Sequence, residues 1–220
     1  AAEKNLAFVA RMKKTLGFEA DMLNMGGGFG IWYTDADAKI EPEGYRNYLT
    51  ALLAAVKAGC EQYGLKRPFI TLEPGRSIVG EAGITLYTVG AIKDIPGIRK
   101  YLAVDGGMFD NPRYALYQSK YSAVLANRAD EAPTEVVAIA GKCCESGDLI
   151  GTEFNLPEAK TGDIVAVLST GAYNYSMASN YNRNFIPAAV LVREGKAEYI
   201  VRPQTYEDLV RNDVIPAHLK

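Results

Sequence analysis

The pattern of apolar residues changes near residue 83, and this change points to a chain built from two different parts. Before it, two helix-like stretches, residues 2–16 and 43–64, carry apolar side chains at three- and four-residue spacing. They alternate with two short strand-like stretches, residues 18–25 and 69–72. Helix–strand alternation is typical of a parallel sheet or barrel. Two isolated helix–strand units do not form a complete sheet or barrel. This part is therefore expected to be the C-terminal portion of a larger α/β domain.

After residue 83, short β-rich runs follow one another between turns, which favours an antiparallel sandwich or barrel. The predicted strands span residues 84–92, 101–104, 121–125, 135–140, 164–168, 188–192 and 197–201. Residues 205–208 (TYED) resemble a capping box that opens a short terminal helix. The predicted fold is therefore α/β plus β.

Composition excludes several classes of function. The net charge of -2 provides no basic field for nucleic acid, and no apolar run approaches the roughly 18–20 residues that a membrane span needs. Three cysteines do not make a disulfide framework and fit a reducing cytoplasm. The single histidine, His218, argues against a His-rich metal site and against a nucleophile–histidine pair within this chain, and no metal is expected. Acid–base chemistry would then use cysteine, tyrosine, lysine, carboxylates or a cofactor.

Two predicted strands of the first part end in turns that are suited to anions. Residues 26–30 (GGGFG) follow the first strand, and consecutive glycines let backbone N–H groups approach a phosphate. Residues 73–76 (EPGR) follow the second strand and add an arginine. A glycine-rich turn alone is weak evidence, but two at successive strand ends indicate the C-terminal mouth of a barrel.

Three segments of the second part carry further candidate chemistry. Residues 141–148 (GKCCESGD) follow a buried strand and place a thiol beside carboxylates, although the segment alone fits a structural cysteine pair equally well. Residues 110–117 (DNPRYALY) supply an arginine that would bind an anion or lie in solvent. Residues 171–182 are rich in uncharged polar side chains, as in a pocket wall.

Together, the segments GGGFG, EPGRSIV, DGGMFDNPRYALY, GKCCESGD and TGAYNYSMASNYN resemble diaminopimelate decarboxylases, which are alanine-racemase-like pyridoxal-phosphate decarboxylases. The resemblance runs from residue 18 to residue 209. It implies the cofactor pyridoxal 5'-phosphate and the conversion of meso-diaminopimelate to L-lysine, the last step of lysine biosynthesis. It also implies a cytoplasmic head-to-tail homodimer with shared active sites.

The resemblance further implies the roles of the two parts. Residues 1–83 would form the last two βα units of a TIM-like barrel that binds the cofactor. Residues 84–220 would form a β domain with active-site and dimer-interface loops.

The resemblance implies a role for each matching residue. Cys144 would be the catalytic acid, and with Glu145 it would reach into the neighbouring subunit's site. The residues implied to hold the cofactor are Gly26, Gly27, Gly28, Glu73, Pro74, Gly75, Arg76 and Tyr173. Those implied to bind the substrate are Arg76, Arg113, Tyr117, Glu145 and Tyr173. Related decarboxylases of ornithine or arginine lack an arginine at position 113, because their substrates carry no distal carboxylate.

The sequence also departs from the family pattern. Tyr114 stands where a proline is usual, and Lys142 and Cys143 are less usual before Cys144. The lysine that forms the Schiff base and the histidine that stacks on the cofactor ring are expected upstream of residue 1, in a missing N-terminal half of the barrel. The chain alone is therefore expected to be inactive. The alternatives are a decarboxylase of another basic amino acid or a carboxylated polyamine, and a noncatalytic fragment that only dimerises.

Overall fold

The structure is a computed structural model that describes residues 1–219, and these residues form two compact units. Unit 1 comprises residues 1–81, and unit 2 begins at residue 82. Within this described part, none of the helices combines the length and the apolar character needed to cross a membrane.

Unit 1 alternates helices with strands, as the residue spacing predicts. Its elements are α1 (Ala2–Leu16), β1 (Met22–Asn24), α2 (Pro42–Tyr63), β2 (Phe69–Thr71) and α3 (Arg76–Val79). β1 and β2 pair in parallel, with Met22 opposite Phe69. Because the two strands run in the same direction, the turns that follow them leave the sheet at the same edge.

The core of unit 1 lies between its two long helices. Leu6 of α1 and Val56 of α2 are almost fully buried in one apolar cluster. Gly59 allows the helices to approach closely, because a Cβ there would lie 2.6 Å from Cδ1 of Leu6. Both helices end at a glycine in the left-handed region, Gly17 (φ 67°) and Gly64 (φ 61°), as is usual at helix C-termini.

Unit 2 is built mainly of strands. Its strands are β3 (Thr85–Ile95), β4 (Arg99–Val104), β5 (Ala123–Leu125), β6 (Glu135–Ala140), β7 (Leu149–Leu156), β8 (Ile164–Val167), β9 (Ala189–Arg193) and β10 (Lys196–Val201). Its helices are α4 (Arg113–Tyr117), α5 (Asn174–Met177) and α6 (Tyr206–Val210), with 3₁₀ turns at Ala126–Arg128, Tyr181–Arg183 and Ala217–Leu219.

Six strands of unit 2 form one sheet in the order β5-β8-β3-β4-β6-β7, while β9 and β10 form a separate hairpin. The edge strands β5 and β7 lie close to each other, so the sheet is barrel-like and nearly closed. Its pairs are antiparallel, as predicted, except that β4 and β6 are parallel. The long connection between β4 and β6 allows the chain to return in the same direction. The prediction of an α/β part followed by a β domain is confirmed.

The structure contains one long strand that the sequence pattern did not predict, β7. Its sequence, LIGTEFNL, includes Gly151 and Asn155, residue types that are depleted in strands. The first predicted strand, residues 18–25, is shorter in the structure and covers only Met22–Asn24. The capping box is confirmed, because the Thr205 side chain accepts from the Asp208 N–H and Asp208 accepts from the Thr205 N–H.

Candidate active site

The two glycine turns of unit 1 contact each other directly. The Glu73 N–H, after β2, donates to the Gly26 carbonyl oxygen, after β1, over 2.9 Å. Asn24 links the turns further: its Oδ1 accepts from the Gly26 N–H (2.7 Å), and its Nδ2 donates to Oε1 of Glu73 (2.5 Å). The structure therefore brings together the two turns that were predicted to bind an anion.

Glycine is required in the first turn for two different reasons. Gly26 and Gly28 have φ angles of 71° and 81°, which glycine adopts without steric cost. A Cβ on Gly27 would lie 2.3 Å from the Glu73 carbonyl oxygen, so a side chain there would push the turns apart. Such closely packed, bare backbone is suited to an anion such as phosphate.

Arg76, the first residue of α3, brings a positive charge to this region of unit 1. Its Nη2 donates to the Phe29 carbonyl oxygen over 3.4 Å, and its guanidinium lies 5.9 Å from the ring centre of Tyr33. Its Nε is buried without a hydrogen-bond partner among residues 1–219. A buried donor without an acceptor costs free energy, so an anionic ligand would improve this arrangement.

Pro74 and Gly75 complete the second turn, which leads directly into α3. The residues that the structure describes contain no group of three or more His, Cys, Asp and Glu side chains that would hold a metal ion. The donors in this turn region are backbone N–H groups and a guanidinium, which bind anions.

In unit 2, the guanidinium of Arg113 lies near two tyrosine rings. Its guanidinium carbon is 4.8 Å from the ring centre of Tyr173 and 6.0 Å from that of Tyr117. Its Nη2 makes a long hydrogen bond of 3.4 Å to Oγ of Ser119, and its Nε is buried without a partner in the described part of the chain. Three predicted substrate residues therefore lie together: the rings of Tyr117 and Tyr173 flank the cation of Arg113, which keeps unused hydrogen-bonding capacity.

Tyr173 has an unusual backbone conformation, with φ 73° and ψ -46°. The Asn174 N–H donates to the Ala172 carbonyl oxygen over 3.0 Å, which makes Tyr173 the centre of a γ-turn. This conformation is strained for a residue other than glycine, and such strain is concentrated at functional sites.

Asp148 organises the cysteine loop, which we define as residues 141–148. Its carboxylate accepts from the backbone N–H groups of Met108 and Cys143, each over 2.6 Å. Its carbonyl oxygen accepts from the Gly141 N–H over 2.9 Å and so closes the loop. Gly141 leaves the space for this carboxylate, since a Cβ there would lie 2.3 Å from Oδ2.

The two adjacent cysteines of this loop have different surroundings. Cys143 is partly buried, and burial together with the nearby Asp148 carboxylate raises the pKa of its thiol to about 11. Cys144 is exposed, as is Glu145. Of the two thiols, that of Cys144 is therefore the one that a bound molecule can contact directly.

The exposed pair Cys144 and Glu145 is held by a neighbouring turn. The Cys144 N–H donates to Oδ1 of Asn182 over 2.9 Å, and the Tyr181 hydroxyl donates to Oε2 of Glu145 over 3.3 Å. The sequence assigned no role to Asp148, Tyr181 or Asn182, although all three lie in motifs that it singled out. No local pattern predicts a contact between residues 38 positions apart.

A second buried acidic group lies in the wall of an open cleft of about 390 Å³ in unit 2. Oδ1 of Asp110 accepts from the Tyr87 hydroxyl over 2.5 Å, and Oδ2 accepts from the Gly107 N–H over 3.1 Å. Burial raises the pKa of Asp110 to about 6, against the opposing effect of these hydrogen bonds. The sequence alone gave no sign of this pair.

Known proteins resemble this chain closely. A diaminopimelate decarboxylase from Bacillus subtilis is 52% identical over 214 residues, which cover 97% of this chain and 48% of that protein. Among solved structures, a diaminopimelate decarboxylase from M. jannaschii has a TM-score of 0.85 and 34% sequence identity. The match covers 100% of this chain and 48% of that chain. One from M. jannaschii in complex with L-lysine has a TM-score of 0.83, 33% identity and the same coverage.

The chain thus spans about half the length of the curated relatives it matches. A family model, described as the C-terminal sheet domain of pyridoxal-dependent decarboxylases, matches residues 8–171. This match includes both glycine turns, Arg113 and the cysteine loop. On this evidence, and as its motifs predicted, the chain belongs to the pyridoxal-dependent decarboxylases.

Proposed function

We propose that this chain is part of a decarboxylase that converts meso-diaminopimelate to L-lysine. The observation that carries the proposal is the guanidinium of Arg113, which lies near the rings of Tyr117 and Tyr173 and has a buried Nε that no described residue satisfies. A guanidinium placed in this way fits a carboxylate. Meso-diaminopimelate keeps a carboxylate at the end that does not react, whereas a simple diamino acid has none there. The names of the relatives support the same substrate.

The residues of unit 1 fit pyridoxal phosphate as the cofactor. The backbone of Gly26, Gly27 and Gly28, the turn from Glu73 to Gly75 and the Arg76 guanidinium would hold its phosphate group. The support is the bare backbone at Gly27 and the unsatisfied Nε of Arg76. When bound, pyridoxal phosphate supplies an acceptor for the electron pair that remains when carbon dioxide leaves.

The side chains of unit 2 would act on the substrate. Arg113 and Tyr117 would bind the distal carboxylate, and Glu145 would bind the distal ammonium group. Tyr173, on its strained turn, would orient the substrate beside the cofactor. Cys144 would hold the proton, on Sγ, that replaces the departing carboxylate. Cys143 would take no part, because its thiol is partly buried beside Asp148 and its pKa of about 11 makes it a poor proton donor.

The domain roles follow from the same proposal. Unit 1 would belong to a cofactor-binding barrel, and unit 2 would be the β domain. Unit 1 exposes side chains of its parallel strands, with Met22 60% and Phe69 69% exposed, although parallel strands are normally covered on both faces. Further βα units of the barrel would cover these strands and would carry the lysine that anchors the cofactor.

We also propose a head-to-tail homodimer in which Cys144 and Glu145 serve the site of the partner subunit. Both residues are exposed on the cysteine loop, where a partner can reach them. The three thiols, all unpaired, favour the reducing cytoplasm as the location.

The test is the kinetics of a complete enzyme that contains this sequence and the lysine-bearing half. We expect carbon dioxide and L-lysine from meso-diaminopimelate. Arg113→Ala should lower kcat/KM by about tenfold to a hundredfold, the effect of losing a charged hydrogen bond. Arg193→Ala is the matched control, since Arg193 is 80% exposed and pairs only with the adjacent Glu194 among the described ion pairs. Equal kinetics of the Arg113 variant and the parent enzyme would contradict the proposed substrate.

A further inference from the structure

The Cys-Cys-Glu triplet at positions 143–145 meets one neighbouring segment at each of its three residues. That segment is residues 180–184, which we call the asparagine turn. Nδ2 of Asn184 lies 3.6 Å from Sγ of Cys143 and donates to it. Oδ1 of Asn182 accepts from the Cys144 N–H over 2.9 Å, and the Tyr181 hydroxyl donates to Glu145.

The asparagine turn is itself fixed in position. The Arg183 N–H donates to the Asn180 carbonyl oxygen over 2.8 Å, which closes a tight turn. Nη1 of Arg183 donates to the Leu209 carbonyl oxygen (2.6 Å), and Nη2 donates to Asp213 (3.2 Å). Nδ2 of Asn180 donates to Oε1 of Gln204 over 2.6 Å. The turn is therefore anchored by hydrogen bonds to residues 204, 209 and 213.

Asn182 has the backbone that this support requires. Its φ and ψ are 52° and 28°, in the left-handed region, and Arg183 follows with φ 57°. Asparagine enters this region far more readily than most residues with a side chain. The left-handed backbone and the amide oxygen are thus combined in one residue, and that oxygen accepts from Cys144.

We infer that Asn182 is a positioning residue that fixes the backbone of Cys144, and that Tyr181 does the same for the carboxylate of Glu145. This inference rests on the proposed function, because it assigns Cys144 to proton delivery and Glu145 to substrate binding. Cys144 and Glu145 are exposed side chains, so without the asparagine turn their directions would be set only by the loop itself. A displacement of about 1 Å in such a group costs about a hundredfold in rate.

Two variants of Asn182 in the complete enzyme separate the effect of its backbone conformation from that of its side-chain oxygen. Asn182→Gly keeps the left-handed backbone but removes the amide oxygen, whereas Asn182→Asp keeps an acceptor at the same place. We expect Asn182→Gly to lower kcat about tenfold to a hundredfold with unchanged thermal stability. Asn182→Asp should restore most of that loss. Tyr181→Phe should instead raise KM about threefold to tenfold, because it acts through the substrate ligand Glu145.

Hydrogen exchange provides a readout that does not depend on activity. In Asn182→Gly the Cys144 amide should exchange about fivefold to tenfold faster, while Asn182→Asp should preserve its protection. Unchanged exchange at Cys144 would overturn the inference, and so would a kcat loss in Tyr181→Phe as large as that in Asn182→Gly.

A double variant separates this inference from the proposed function. If Asn182 acts through Cys144, then Asn182→Gly should cost nothing further in a Cys144→Ala enzyme. If the two substitutions instead lower kcat by factors that multiply in the double variant, the positioning role is overturned. A Cys144→Ala enzyme with full activity would instead contradict the proposed function, while the exchange measurement would still decide whether Asn182 fixes Cys144.

Discussion

At the scale of single residues, burial separates groups that look alike in the sequence. Cys143 and Cys144 are neighbours, yet one thiol faces the Asp148 carboxylate and the other lies at the surface. Asp110 and Asp148 are both buried carboxylates, but the Asp148 carboxylate accepts from two backbone N–H groups, while that of Asp110 accepts from one hydroxyl and one N–H. Only the three-dimensional surroundings reveal these differences.

Asp110 gives a prediction about stability and pH. Its folded-state pKa of about 6 lies above the ordinary value of 3.8, mainly because the carboxyl group is buried. The folded state therefore holds this proton more tightly than the unfolded state. The contribution to stability is fully present below about pH 4 and is lost as the pH rises through about 6.

The expected result is a loss of about 2 kcal/mol of unfolding free energy from this group between about pH 4.5 and about pH 7. Asp110→Asn should remove this part of the pH dependence. Denaturant titrations give the unfolding free energies of the parent and the variant at both pH values. The difference between parent and variant should change by this amount between the two pH values. A difference that is constant with pH would show that Asp110 has an ordinary pKa.

At the scale of elements, the strand–turn pairs of unit 1 give a prediction about cofactor binding. Gly27→Ala would place a methyl group against the Glu73 carbonyl oxygen, at 2.3 Å in the present backbone. Relieving that overlap separates the two turns, at a cost of about 1–3 kcal/mol. We expect pyridoxal phosphate to bind about tenfold more weakly or worse, as measured by absorbance titration of the complete enzyme freed of cofactor.

Gly17→Ala is the matched control for this change. Gly17 is also in unit 1, has a φ of 67°, and a Cβ there would meet no atom within 4 Å. This variant should lose about 1–2 kcal/mol of stability through backbone strain and keep the parent affinity for the cofactor. Parent-like affinity in Gly27→Ala would argue against a role for the paired turns in phosphate binding.

Elements with a strong pattern could be predicted from the sequence, and those set by distant contacts could not. The long helix Pro42–Tyr63 and the strand Glu135–Ala140 follow from apolar spacing and β propensity. Strand β7 was missed because Gly151 interrupts its pattern, yet this glycine is needed where the Phe154 ring packs: a Cβ there would lie 2.8 Å from it. The short helices α4 and α5 span too few residues to show a helical period.

The same distinction applies to the candidate site. The glycine turns, Arg113 and the cysteine loop are continuous motifs, so the sequence alone singled them out. Asn182 and Tyr181 form hydrogen bonds with residues 38 and 36 positions away, respectively, and Tyr173 has a γ-turn backbone that its residue type does not favour. Contacts of this kind depend on how the sheet brings its loops together, which no local sequence pattern encodes.

At the scale of the whole molecule, the proposed dimer makes a prediction that uses only residues of unit 2. If each active site takes Arg113 from one subunit and Cys144 from its partner, the variants Arg113→Ala and Cys144→Ala should complement each other. A mixed dimer then contains one site that lacks both groups and one site that keeps both. If each site were instead formed by one subunit, one site of the mixed dimer would lack Arg113 and the other would lack Cys144.

Random exchange of equal amounts of the two variants makes half of the dimers mixed, so activity should recover to about a quarter of the parent value. The measurement is the rate of L-lysine formation after refolding the variants together, beside each variant refolded alone. Differently tagged subunits, counted by native mass spectrometry, report how many mixed dimers have formed. If mixed dimers form and activity stays at the level of the single variants, Arg113 and Cys144 belong to the same subunit's site and the shared-site arrangement is wrong.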